Sequence, residues 1–267
     1  MVKQAITNIR LAASNFIRYV PLLGNLISRG LKRKYRRSVL GYIWCVLNPL
    51  LVMLIMNFVF SHMFASSIAN FPVYLFCGRM MFSFITDATG LMQHSILSNG
   101  SLMRKTRIPY YIFPLSAFCT SVVNFCFSLV AFGIVLLFTG TPLSVHVVAF
   151  PLVMLEMFVF SLGLGMFLAQ ANVFVRDVSY LYAVFITGWM YLTPLFYPLS
   201  SLPETLQWLI TYLNPACYYI DQSRAIFVDH AWPGGGAMLR GAIAAVLFLV
   251  LGLYSYNRSK NKLILYV

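Results

Sequence analysis

The chain has 267 residues, of which 60% are hydrophobic and only 9% are charged. Soluble domains carry about 25% charged residues, so a fold bathed in water on all sides is excluded, and a mean hydropathy of +0.81 requires that much of the surface meet hydrocarbon. A net charge of +13 would indicate nucleic acid in a soluble protein, but the cations here gather at the ends of apolar segments, which is a topology signal and leaves nucleic acid out of the expected partners.

The N-terminal stretch, residues 1–31, is not a span. Ile6, Ile9, Ala13, Phe16, Ile17 and Val20 recur at helical spacing with Lys3, Asn8, Asn15 and Arg18 largely between them, which predicts an amphipathic helix lying in the headgroup plane. An amphipathic helix packed on the protein itself is the alternative. Pro21 and Gly24 are expected to interrupt it before a second short apolar stretch of Leu22, Leu23, Leu26, Ile27 and Leu31. Lys32 to Arg37 then places five cations in six residues directly ahead of the first long apolar segment. Charges at that density are costly in hydrocarbon and favourable against anionic headgroups, so this junction is expected to mark the cytoplasmic face. No small-residue cleavage site follows that segment, which is therefore expected to be retained as a transmembrane helix.

Six segments are long enough to cross a bilayer, which takes about 20 helical residues: roughly 44–65, 72–97, 112–138, 146–173, 179–198 and 237–256. Nine cations precede residue 38; Arg104, Lys105 and Arg107 follow the second segment, Arg176 the fourth, and Arg258, Lys260 and Lys262 the sixth. All fall on one side if both termini are cytoplasmic, and the opposite loops near 66–71, 139–145 and 199–236 contain only Arg224. In the last of these loops, Pro203 to Leu213 predicts a helix with proline in its first turn, broken at Asn214-Pro215 and followed by a second short helix over 216–228. Neither is long enough to span, so the pair is expected to form a re-entrant or surface hairpin between the fifth and sixth helices, surrounded by protein or water. Gly234 to Gly236 reads as a flexible joint before the last helix. The fold expected is all-α and integral to the membrane, one domain with a cytoplasmic interfacial and basic segment (1–38), a six-helix body (39–256) and a cytoplasmic tail (257–267).

No chemical engine is visible. The phosphate-cradling Gly-x-x-x-x-Gly-Lys-Ser/Thr loop and the Gly-x-Ser-x-Gly nucleophile turn do not occur. His62, His94, His146 and His230 have no metal-ligand spacing, and the five cysteines read as small apolar residues among helices. Energy for any transport must come from a partner or an ion gradient. Arg79, Asp87 and Glu156 are ionisable residues within spans and functional suspects on that ground, although hydrogen bonding to a neighbouring helix is the simpler role. Tyr182, Trp189 and Phe196 are seven apart and predict one aromatic stripe on the fifth helix. Such a stripe fits either a helix-packing seam or a surface on which the C–H faces of sugars slide. Two cytoplasmic turns are candidates for partner contact: residues 99–109, and the turn holding Arg176 and Asp177.

Several of these stretches together resemble one family. Arg-Arg-Ser-Val-Leu-Gly-Tyr-Ile-Trp-Cys-Val-Leu-Asn-Pro-Leu-Leu (36–51), Asn99, Leu102, Lys105 and Ile108-Pro109, Val-Arg-Asp-Val (175–178), Thr-Pro-Leu-Phe-Tyr-Pro (193–198) and Leu-Asn-Pro (213–215) with Arg224 are similar, in this order, to the permease subunits of type-2 ABC exporters. The resemblance covers about three-quarters of the chain and is nearest to the polysaccharide-exporting branch that moves O-antigen, capsule or teichoic acid. It implies a homodimer joined to two copies of a separate cytoplasmic ATPase, which would bind ATP and Mg²⁺; this chain itself would hold no cofactor. It further implies an ATPase-coupling segment at Asn99, Leu102, Arg104, Lys105, Arg107 and Pro109. A substrate entrance for a lipid-linked glycan is implied at Arg33, Arg36, Arg37, Leu40, Gly41 and Tyr42, with channel-lining aromatics Phe82, Phe84, Tyr182, Trp189 and Phe196. The location implied is the bacterial inner membrane, in contact with its lipids. Arg79 departs from the family, which often has Trp near that position. A small-molecule or drug exporter of the same fold is the nearest alternative; a glycan-processing membrane enzyme or a secondary transporter lacks its expected sequence features.

Overall fold

The computed structural model describes residues 2–35, 38–64, 68, 70–105, 108–259 and 262–266, with side chains from Ile17 onward except at 34, 35, 63, 64, 264 and 265. No strand occurs among the described residues. The chain opens with α1 (Val2–Tyr35), a single helix with Pro21 inside it rather than the interrupted pair expected. An internal proline forfeits one helical hydrogen bond. The helix nevertheless continues through it, and its apolar residues Leu22, Leu23 and Leu26 on the C-terminal side are packed into a core. A 3₁₀ turn at Gly41–Ile43 leads into α2 (Trp44–Phe64). There follow α3 (Phe71–Ser95), the short α4 (Gly100–Lys105), α5 (Ile112–Thr139), α6 (Phe150–Phe174) and α7 (Val178–Leu192). The pair α8 (Glu204–Leu213) and α9 (Pro215–Phe227) precedes α10 (Gly235–Ser259) and the terminal α11 (Leu263–Tyr266). Gly235 and Gly236 form the first turn of α10 and are not a free joint before it.

Four helical stretches among the described residues are long and apolar enough to cross a membrane: Gly41–His62, Ile112–Thr139, Val145–Phe174 and Gly235–Ser259. Two of the expected segments behave differently, for separate reasons. α3 is long but less apolar, because it is the helix around which α2, α5, α6, α7 and α9 pack. Val73, Cys77, Met81, Ile85 and Ala88 along it are completely buried. A helix that meets protein instead of lipid has no need of an apolar surface all round. α7 is apolar but has only 15 residues, a length of about 22 Å against the roughly 30 Å of a hydrocarbon core. It stops at Leu192 because Thr193 precedes a proline and takes extended angles (φ −89°, ψ 129°).

Two cores result. The larger one surrounds α3 along its length. The smaller joins Leu26 of α1, Ile96, Met103 of α4, Ile112 and Phe113 of α5, Ala169 and Val173 of α6 and Leu263 of α11. It gathers the helix ends that carry Arg104, Lys105, Arg176 and Arg258 to one basic end of the bundle. Elsewhere α6 and α10 approach unusually closely. A Cβ built on Gly163 would strike the backbone of Phe248 and Leu249, and one on Gly252 would strike the Gly163 carbonyl. Small residues that admit such backbone contact are how helices associate where lipid supplies no hydrophobic drive.

Candidate functional site

At the basic end, α4 is held by its own sequence. Met103 is buried in the smaller core and Leu102 half-buried, while Ser101, Arg104 and Lys105 are exposed. Asn99, in the turn before α4, donates from Nδ2 to the Ser95 carbonyl at 2.7 Å, and its Oδ1 accepts from the Arg29 guanidinium of α1. Pro109 is half-buried, and its carbonyl receives the amide of Ile112 at 3.1 Å as α5 begins. Arg107 lies outside the described residues, as do Arg36 and Arg37. Arg33, Leu40 and Tyr42 are exposed. Gly41 has φ +52° with no atom near a would-be Cβ, so glycine is needed there for backbone conformation and not for space. Arg176 and Asp177 are exposed at the α6–α7 turn. Asp177 occupies the N-cap position of α7, yet its side chain makes no capping bond; the Asp177 carbonyl instead receives the amides of Tyr180 and Leu181. The structure thus brings the residues 99–105, the Arg29–Arg33 turn of α1 and the Arg176 turn to the same end of the molecule.

The five aromatics expected to line a channel are all enclosed within the single chain, none more than 7% exposed. Tyr182 bonds Thr89 Oγ1 of α3 at 2.6 Å. Trp189 donates to Asn214 Oδ1 at 2.7 Å and meets Phe82 edge-on at 5.6 Å. Phe84 packs among Phe118, Phe125 and Phe158. Phe196 lies beyond the end of α7, not on a continuous stripe with the other two, and stacks on Phe60 at 5.0 Å. In this arrangement the stripe is a packing seam, because α7 turns Tyr182 and Trp189 toward α3 and the hairpin. Its exposed face carries Tyr180, Leu181, Val184, Phe185, Tyr191 and Leu192.

The pair α8–α9 is fastened by polar residues whose partners the sequence leaves open. Asn214 is a true cap: its Oδ1 accepts from the Ala216 amide as well as from Trp189, and its Nδ2 donates to Thr193 Oγ1 at 2.9 Å. An Asn ahead of a helix-starting proline is the sequence signal for such a cap. Arg224 of α9 is buried against α3. It donates to the carbonyls of Leu195 at 3.2 Å and Tyr74 at 3.4 Å, with its guanidinium 3.5 Å from the centre of the Tyr74 ring. A Cβ on Gly78 would lie 2.7 Å from Arg224 Nη2, which explains a glycine at that point of α3. Glu156, buried in α6, accepts from Gln222 Nε2 of α9 at 3.1 Å. Its partner, left open by the sequence, is therefore a neutral amide.

One side of α3 is not covered. Two cavities, of about 290 and 380 Å³, lie against it and share Asp87 and Asn124 in their walls. The first runs past Arg79 and Ser83 toward Asn48 and Trp44 of α2; the second runs past Ser95 toward Arg29, Arg33 and Asn99. Arg79 also reaches Met190 Sδ of α7 at 3.5 Å.

Residues 21–228 match the ABC-2 type transporter family. The chain is 34% identical over 234 residues to the O-antigen export system permease protein RfbA of Myxococcus xanthus, covering 87% of this chain and 89% of that protein. A Klebsiella pneumoniae protein of the same name is 29% identical over 90% of this chain and 93% of its own. With four membrane-crossing helical stretches, a short helix held out at the basic end and a family match across most of its length, this chain belongs to the ABC-2 type transporters.

Proposed function

We propose that the chain is the permease subunit of an ATP-driven exporter that moves a lipid-linked polysaccharide from the cytoplasmic side of the bacterial inner membrane. The observation that carries this reading is similarity over 87% of the chain to a permease named for O-antigen export. Two copies of the chain and two of a separate ATPase make the working complex, with ATP and Mg²⁺ held by the ATPase. Both termini and α4 face the cytoplasm, in keeping with the cations of α1, Arg104, Arg176 and Arg258. α3 and α7 join the four apolar helices as the remaining crossings, α3 sheathed in protein and α7 extended by the segment 193–198. The α8–α9 hairpin re-enters the outer leaflet, supported by the bonds of Arg224 to α3 and to Leu195. Exposed apolar residues Ile17 and Val20 suit α1 to the headgroup plane, with Arg29 and Arg33 near the diphosphate of the carrier lipid. The exposed face of α7 and that of α2 are where a second copy docks. Deleting the gene is expected to abolish surface polysaccharide while its lipid-linked precursor accumulates inside, both reversed by restoring the chain. Unchanged surface polysaccharide in the deletion strain would refute the reading.

A further expectation concerns α4. With Met103 anchoring the helix, the exposed Arg104 and Lys105 present positive charge to the ATPase. Arg104→Glu with Lys105→Glu should reduce co-purification of the ATPase with the permease and lower export about tenfold or more, the scale of one or two lost charge-assisted contacts. Permease abundance in the membrane should not change, and ATPase retained at the normal ratio would count against α4 as its docking site.

A further inference from the structure

We propose that the two cavities beside α3 form one saccharide-binding subsite, in which Asp87 and Asn124 hold hydroxyl groups of the passing glycan by hydrogen bonds. The proposal rests on the exporter reading and adds to it the side chains that touch the sugar. α3 is enclosed on most sides, and its accessible line runs Arg79, Ser83, Asp87 and Leu91, spaced four apart along one face. Three of those four are polar, and all three line the first cavity. Asn124 of α5 lines both cavities together with Asp87, and its Oδ1 is buried without a hydrogen-bond partner. An unmatched acceptor of this kind is costly unless something arrives to donate to it.

The chemistry of the walls selects the occupant. A guanidinium only donates, a carboxylate only accepts, and amides and hydroxyls do both, so this set matches the mixed donor and acceptor character of sugar hydroxyls. A lipid tail would meet the apolar side chains of these walls but would leave the buried Asn124 Oδ1 without a donor. A diphosphate, which offers acceptors alone, suits the Arg29 and Arg33 end of the second cavity and not the Asp87 carboxylate that both cavities share, where like charges repel. Trp44 at the end of the first cavity supplies an apolar face for a sugar ring. The combined space falls in the range of small-ligand sites, about 300–1,000 Å³. The expected channel aromatics are shut inside the protein, whereas these cavities offer a glycan polar and apolar side chains together.

The test uses a strain lacking the chromosomal copy and complemented with variants, reading surface polysaccharide per permease molecule in the membrane. Asn124→Leu and Ser83→Leu should each lower export about tenfold, the value of one buried hydrogen bond left unmade, whereas Asn124→Ser should retain most of it. Normal export by the Asn124→Leu/Ser83→Leu double variant overturns the subsite and leaves the exporter reading standing, while an unaffected deletion strain overturns both. Increased export by Asp87→Asn identifies an anionic headgroup as the occupant and also overturns the proposal. If the leucine variants fail to accumulate, Ser83→Cys in the assembled complex takes their place, modified with a hexose-bearing thiosulfonate. Export should then stop, and undiminished export after verified modification overturns the subsite.

Discussion

Substituting leucine for Gly163 is expected to cost ~3–5 kcal/mol and to remove most folded protein from the membrane. The position is set by backbone, not by side chains. A Cβ there meets the main chain of Phe248 and Leu249, and the partner glycine, Gly252, is in reach of the Gly163 carbonyl. Flexible side chains can rotate away from an added methyl, but the main chain of α10 can give way only if the whole helix moves off α6. Even Gly163→Ala should therefore be damaging, by about 1–3 kcal/mol. Gly133→Ala in α5, where nothing lies within 4 Å of the added carbon, should be neutral or slightly stabilising through helix propensity. Thermal midpoints of the detergent-solubilised protein, followed by size-exclusion fluorescence, separate these cases. Equal midpoints for the two alanine variants would show that α6 and α10 are less tightly apposed.

Arg224→Leu is the second large expectation, a loss of ~3 kcal/mol. Leucine keeps the bulk but leaves the Leu195 carbonyl without the Arg224 donor, the Tyr74 carbonyl with its helical bond alone and the Tyr74 ring without its cation. Lysine should recover only part, since an ammonium cannot match the fork and the stacking surface of a guanidinium. Gly78 supplies the internal check. Because its would-be Cβ lies 2.7 Å from Arg224 Nη2, Gly78→Ala should be harmful in the parent and much less so beside Arg224→Leu. That coupling is what a double-mutant cycle measures. Additive effects would mean that the glycine serves some other purpose. Protease sensitivity of the 199–214 segment should rise with Arg224→Leu, as the hairpin is released from α3.

Four of the six segments read from hydropathy coincide closely with helices apolar enough to cross a membrane, because a lipid-facing helix declares itself through composition alone. α3 was found as a helix, but its place at the centre was not legible. Nothing in the order Arg79, Ser83, Asp87 tells which neighbours will cover the remaining faces. The end of α7 was in the sequence, since Thr193-Pro194 forbids helical angles at Thr193, yet the apolar run through Pro198 outweighed it. Pro21 misled in the opposite direction, because the docking of Leu22, Leu23 and Leu26 offsets a local break that propensity alone would enforce. The bounds of α8 and α9 lie within a residue of those expected, while the bonds fastening them join residues far apart in the chain, such as Trp189 with Asn214 and Arg224 with Tyr74. The aromatic stripe illustrates the same limit: heptad spacing names a shared face without naming what the face meets.

The bond from Arg29 to Asn99 ties the long N-terminal helix to the turn that carries α4, and both helices share the smaller core through Leu26 and Met103. In the exporter proposed above, the lipid-linked cargo and the ATPase therefore address one mechanical element. In that exporter, any free energy by which nucleotide binding to the ATPase alters the hold of α1 on the carrier lipid returns, by thermodynamic reciprocity, as an equal effect of that lipid on nucleotide affinity.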